Sequence, residues 1–306
     1  MSLFSLIVVF LLEQLRPLDY ARWVLRPFHA WADFLERRFN AGSYRQGILG
    51  WCLAVLPPLA LAAGAYALLY WVSPLLALVL NVLVLYATMG FRQFSHFYTD
   101  IQLALRLGDL ERARSILAEW RGEAVAPHGP SDIARLAIET ALAASHRHVF
   151  AVLLWFVLLP GPLGALLYRF SHILAEHWRQ HGAGGEFGKF SQQLFAIVDW
   201  LPVRASAAAF AVVGNFEDAV YCWRNQSSRW DDPELGIVLA SGAGALGVRL
   251  GVPDIEAEAL AESGELGVGE AADADFMQSA VGLVWRAIVL WLLMLFLLGL
   301  ASLVGR

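Results

Sequence analysis

The chain of 306 residues is 58% hydrophobic and 16% charged, with a mean hydropathy of +0.55; soluble domains carry about a quarter of charged residues, so an ordinary soluble protein is excluded and the lipid bilayer is the first partner implied. A net charge of −5, with 22 Lys and Arg dispersed along the chain, argues against nucleic acid, which needs a concentrated basic surface. Cys52 in an apolar run and Cys222 in a polar one are too few for a disulfide framework or a multi-cysteine metal site.

Ser2–Leu12 is apolar but shorter than the roughly 20 residues a helix needs to cross a bilayer. It reads as a short, re-entrant or interfacial helix, or as a span that tilts little in thinned lipid. The N-terminal run lacks a basic n-region and a small-residue cleavage site, so its retention is expected. Arg16, Arg22, Arg26, Arg37, Arg38 and Arg45 follow, an excess that places this segment in the cytoplasm by the positive-inside rule. Ile48–Val72 then runs outward and Ser73–Phe91 returns, with Trp71, Ser73 and Pro74 at the turn, which predicts a transmembrane hairpin over 48–91.

From 92 to 148 the chain is polar yet helically periodic. Asp109 is placed to cap a helix after Gly108, and a second helix is expected to start at Ser131 after Gly129-Pro130, together a cytoplasmic helical hairpin. Val149–Phe170 reads as a span broken by Pro160-Gly161-Pro162 and Gly164, and a break at membrane depth survives only when buried or lining a cavity. Phe195–Val213 carries Asp199, Pro202 and Arg204. Charges there are costly in lipid, so this segment is expected against protein at the membrane boundary, and 149–214 as a whole reads as broken membrane helices. A polar stretch over 215–280 holds Asp254, Glu256, Glu258, Glu262, Glu265, Glu270, Asp273 and Asp275 and reads as a solvated acidic loop. Val281–Val304, interrupted only by Arg286, is the final span. The expectation is an all-α, polytopic helical membrane protein, one domain over 1–306, with about four to five membrane segments and cytoplasmic helical loops. Trp51, Trp71, Trp155, Trp200, Trp285 and Trp291 lie in or beside the apolar runs, as interfacial indoles do.

Five separated pieces stand out: GDLERARSILAEWRGE from Gly108, DIARLAIETALAASHRH from Asp132, PGPLGALLYRF from Pro160, VDWLPVRASA from Val198, and SGAGALGVRLG from Ser241 with GELGVG from Gly264. In this order and spacing they resemble the CobD/CbiB family of integral membrane proteins of cobalamin biosynthesis, and more distantly the AmpE family of inner-membrane proteins linked to β-lactamase regulation. The resemblance covers most of the chain. It implies attachment of an aminopropanol unit to the corrinoid adenosylcobyric acid, an amide-forming ligase step expected to require nucleotide (ATP) and Mg²⁺, in a multi-pass protein of the bacterial inner membrane. Its motif positions fall on Asp109, Ala113, Arg114, Glu139, Pro160, Gly161, Gly164, Tyr168, Arg169, Asp199, Pro202, Arg204, Gly244, Ala245, Leu246, Gly247 and Arg249.

In the roles the resemblance implies, Arg114, Arg169, Arg204 and Arg249 bind substrate phosphate with Gly244 and Gly247, while Glu139 and Asp199 are catalytic or hold Mg²⁺. The chain also departs from the family pattern. Ala144-Ser145-His146-Arg147-His148 and Ser171-His172-Ile173-Leu174 stand where acidic and Asn positions are usual, and Val198 replaces one of two adjacent acids. Fewer carboxylates mean fewer Mg²⁺ ligands, and these sites look more like AmpE. The alternative reading is therefore a non-enzymatic AmpE-like sensor or regulatory membrane partner linked to β-lactamase induction or peptidoglycan recycling.

Each motif also has a plainer reading. Asp199 and Arg204 either pair across a bent segment or each find another partner. Asp109, Glu111, Arg112 and Arg114 also fit a salt-bridged helix surface. Gly242, Gly244 and Gly247 fit a flexible loop as well as an anion cradle, with no Gly-Lys-Ser/Thr following. His177 and His181 share a helical face without forming a metalloprotease motif. Lys189 is the sole lysine, which makes a lysine-dependent covalent mechanism a poor candidate.

Overall fold

The computed structural model describes residues 2–15, 20–122, 129–180, 185–251 and 264–304. The described chain is helical: α1 (Ser2–Leu15), α2 (Arg26–Phe39), α3 (Tyr44–Val72), α4 (Pro74–Thr88), α5 (Phe91–Arg106), α6 (Leu110–Arg121), α7 (Pro130–Ser145), α8 (Ala151–Leu158), α9 (Leu163–Gln180), α10 (Glu186–Val213), α11 (Phe216–Gln226), α12 (Pro233–Leu246) and α13 (Ala274–Val304). A π-helical turn, His146–Phe150, joins α7 to α8 without ending the helix. The only paired strands among the described residues are two-residue pieces, β1 (Val248–Arg249) and β2 (Glu270–Ala271), which run parallel. Of the acidic positions in the 215–280 stretch, Asp254, Glu256, Glu258 and Glu262 lie outside the described residues.

Four helices are long and apolar enough to cross a membrane: Tyr44–Val72, Pro130–Leu158, Glu186–Val213 and Ala274–Ala301. In the most apolar window of Tyr44–Val72 only 11% is buried, against 56% in Pro130–Leu158. The first therefore presents its leucines outward, as a lipid-facing helix does, whereas the second is largely packed in protein. The fold is thus all-α and of membrane-spanning type, as the composition implies.

The chain divides into two compact units, Met1–Gly90 with Ala151–Pro202, and Phe91–Phe150 with Val203–Arg306. In the first, α3 packs on α2, α4 and α9, and α1 packs on α4. Ser73 caps α4, its Oγ accepting from the Leu75 N–H at 3.3 Å, and Pro74 opens the helix, so the expected turn is present. Close approach is set by glycine: a Cβ at Gly164 would collide with the Trp155 carbonyl where α9 folds back on α8. The break at Pro160-Gly161-Pro162 is this α8–α9 turn, with Gly161 at φ 62°. The helix entering it begins at Pro130, not Val149, because the π turn carries the polar α7 into the apolar α8.

In the second unit, the stretch expected to form a two-helix hairpin, the helix after Gly108 and the one from Ser131, instead holds three helices, α5, α6 and α7, that pack on one another, with Asp109 capping α6 by accepting from the Arg112 N–H at 3.1 Å. Helix α7 starts at Pro130, one residue before the expected Ser131, and the Asp132 carboxylate accepts from the Gly129 N–H at 3.2 Å. Helix α12 is buried along most of its length between α7 and α11.

Candidate functional site

The polar interior of the second unit is built on α7. Arg135 and Glu139, four apart and hence on one face, are 9% and 6% exposed. Arg135 Nη1 donates to Glu139 Oε1 at 3.2 Å, and the same oxygen accepts the Gly251 N–H at 2.7 Å. Arg121 adds a further positive charge in electrostatic reach. Glu139 therefore anchors the chain just after β1, where Leu250 and Leu266 also exchange backbone hydrogen bonds of 2.8 Å. One carboxylate oxygen of Glu139 is thus shared by a guanidinium and an amide.

A second cluster lies where the π turn, α10 and the start of α12 meet. His146 Nδ1 and Ser206 Oγ are 2.9 Å apart and buried, and Ser241 Oγ donates to the Ala207 carbonyl at 2.8 Å. Arg204 Nη1 donates to Glu234 Oε2 at 2.9 Å, and Arg147 Nη2 lies 3.6 Å from Asp232 Oδ2. Asp232 also caps α12, its Oδ1 accepting from the Glu234 and Leu235 N–H groups at 3.2 Å each. Sequence reasoning reached Arg204 but missed Arg135, Arg147, Asp232 and Glu234. Arg135 was readable as the i,i+4 partner of Glu139, and Asp232-Pro233-Glu234 ahead of an apolar run is a helix-start signature.

The remaining predicted residues sit apart from these clusters. Arg249 Nη1 faces Glu265 Oε1 at 3.5 Å and is half exposed. Arg114 pairs with Glu111 on its own helix at 2.6 Å, the salt-bridged surface the sequence allowed. Gly244 lies inside α12, where a Cβ would meet the Asp218 backbone, so it serves close helix packing and not a loop cradle. Gly247 is the left-handed C-cap residue of α12, φ 69°, with open space where a Cβ would stand. Cys222 is fully buried, and burial pushes its thiol up to about 11, leaving it protonated and inert at neutral pH.

Asp199 and Arg169 belong to the first unit. Asp199 Oδ1 accepts from the Tyr168 hydroxyl at 3.0 Å, both groups buried. Arg169, 1% exposed, donates through Nε to the Tyr20 hydroxyl and lies 4.5 Å from that ring's centre, a cation–π contact. Burial pushes the Tyr20 phenol upward, with Arg169 opposing, so a neutral phenol and a guanidinium meet here in a buried contact. His177 Nε2 contacts Asp33 Oδ1 at 2.6 Å with His29 stacked on its ring; His181 lies outside the described residues. Among the described residues no group of three or more His, Cys, Asp or Glu is arranged to hold a metal ion.

The CobD/CbiB protein family model matches residues 12–284. The chain is 35% identical over 301 residues to the cobalamin biosynthesis protein CobD of Stutzerimonas stutzeri strain A1501, covering 96% of this chain and 97% of that one. It is 34% identical over 241 residues to the CobD of Chromobacterium violaceum, covering 78% and 75%, and 28% identical over 217 residues to that of Mycobacterium tuberculosis H37Rv, covering 68% and 63%. No solved structure matches. The length of the match, read with an all-α fold that has four helices fit to cross a membrane, leads to one conclusion: the chain belongs to the CobD/CbiB family of cobalamin biosynthesis proteins.

Proposed function

We propose that this chain joins aminopropanol, or its phosphate, to adenosylcobyric acid through an amide bond, in the inner membrane of a bacterium. The observation that carries this reading is the near full-length likeness to proteins named CobD. An amine displaces a carboxyl oxygen only after that oxygen has become a good leaving group, and a nucleotide, when bound, supplies the activating phosphoryl group. The arginines of the second unit suit phosphate: Arg204 and Arg249 are partly exposed and face the carboxylates of Glu234 and Glu265, and part-exposed ion pairs contribute little and exchange readily. Arg169 is buried against Tyr20 and acts as a positioning residue. Glu139 positions Gly251, and through it the segment that bears Arg249.

Growth made strictly dependent on cobalamin, in a bacterium lacking its own CobD/CbiB gene and fed cobyric acid with aminopropanol or its phosphate, tests the reading. Rescue by the wild-type chain and loss of rescue with Arg204→Ala, at equal membrane expression, are expected. No rescue by the wild-type chain would overturn the ligase reading in favour of a regulatory role. Full rescue by Arg204→Ala would remove Arg204 from the site.

A further inference from the structure

We propose that Arg147 and Arg204 together form a binding site for a phosphate-bearing ligand, and that Asp232 and Glu234 are built-in competing anions which the ligand displaces. The proposal rests on the ligase reading for what the ligand serves, but not for the existence of the site. Arg147 lies on the π turn and Arg204 on α10, and the bond between His146 and Ser206 pins the neighbours of both together. Their guanidinium groups face carboxylates only two residues apart, at 3.6 Å from Asp232 and 2.9 Å from Glu234. Both groups are therefore directed at one short segment, Asp232-Pro233-Glu234.

Three observations separate this arrangement from a pair of structural ion pairs. Arg147 is under-satisfied: its contact with Asp232 is longer than a hydrogen bond, its Nε is buried without a hydrogen-bond partner, and Asp232 already spends Oδ1 on capping α12. A guanidinium fork with spare donors matches phosphate oxygens. The side chains of Arg147 and Arg204 are 28% and 31% exposed, so a solute can reach both. Each lies within a helix of span-like length and hydropathy, where an arginine is costly and marks function by default, and Arg147 sits on a π turn, a distortion frequent at functional sites. The start of α12, with the positive end of its dipole, adds to the attraction for an anion.

The phosphate could belong to a soluble phosphoester or to an anionic lipid headgroup, and the test has an arm for each. The full chain in detergent is titrated with inorganic pyrophosphate by calorimetry. Arg147→Ala and Arg204→Ala are each expected to weaken binding by about ten-fold or more. Asp232→Asn and Glu234→Gln are expected to tighten it by about two- to five-fold, the value of one part-exposed ion pair. Asn caps a helix as well as Asp, so Asp232→Asn leaves α12 intact, and a gain in affinity does not arise from misfolding. Unchanged binding by Arg147→Ala, or no gain from either carboxylate variant, would overturn the proposal. In phosphatidylcholine nanodiscs, pyrophosphate binding that falls when phosphatidylglycerol is added supports the site with a lipid headgroup as its ligand; binding indifferent to phosphatidylglycerol supports it with a soluble phosphoester. Pyrophosphate binding with this variant pattern but without growth rescue would overturn the ligase reading alone.

Discussion

Glu139 shows how one side chain ties a helix to a distant backbone. Its carboxylate is buried, and it tolerates burial because Arg135 compensates its charge and the Gly251 N–H fills the same oxygen. Glu139→Ala strands Arg135 with only the longer 3.8 Å contact to Asp132 and leaves the Gly251 N–H without its acceptor. Removing one partner of a buried pair costs about 3–5 kcal/mol, so a large drop in the detergent melting temperature is expected. Glu139→Gln keeps an acceptor for Gly251 and loses only the charge, so its drop should be clearly smaller. Equal losses from both variants would mean that the charge, and not the anchor on Gly251, is what matters. Arg169 follows the same logic with a different partner, since an aromatic face and a hydroxyl receive its guanidinium.

Helix α12 owes its position to small residues: Gly242 meets Leu142 of α7, and Gly244 meets the backbone of Asp218 and Ala219 in α11. A methyl group at Gly244 must push two backbones apart, so Gly244→Ala should cost about 1–3 kcal/mol. Gly247→Ala, in open space but at positive φ, should cost about 1 kcal/mol. Thermal unfolding of both variants checks the order, and a larger loss for Gly247→Ala would refute the packing account. Local signals of this kind were legible in the sequence where one residue suffices, as with Ser73-Pro74 at a turn or Asp109 at a cap. Gly242 and Gly244 were not, because glycine weakens helix propensity and only tertiary packing restores the helix. The boundary at Val149 misled because the change from polar to apolar residues looks like the end of an element, while the backbone continues through a π turn. Arg204 was legible as a charge in an apolar helix, but its partner Glu234 lies 30 residues away, beyond any local pattern.

For the molecule as a whole, the open physical question is how many times the chain crosses the bilayer. Helix α3 has 29 residues, about 43 Å of helix, ample for a hydrocarbon core of about 30 Å. Helix α4 has 15 residues, about 22 Å, and the regular helix stops before Met89, so it crosses only if the bilayer thins around it. The excess of arginine before Ser43 orients α3 outward, and a crossing by α4 then returns the α5–α6 hairpin to the cytoplasm. Single-cysteine variants in a Cys52→Ser, Cys222→Ser background decide this with a membrane-impermeant maleimide on spheroplasts. Ser73→Cys should label from outside, whereas Ser43→Cys and Glu111→Cys should label only after permeabilisation. Outside labelling of Glu111→Cys would mean that α4 dips into the membrane and returns, which would put Arg114 on the outer side, away from cytoplasmic nucleotide. Outside labelling of Ser43→Cys would reverse the orientation of the chain. The expected pattern instead keeps the Arg114 hairpin on the cytoplasmic side, where the proposed amide ligation would find a nucleotide.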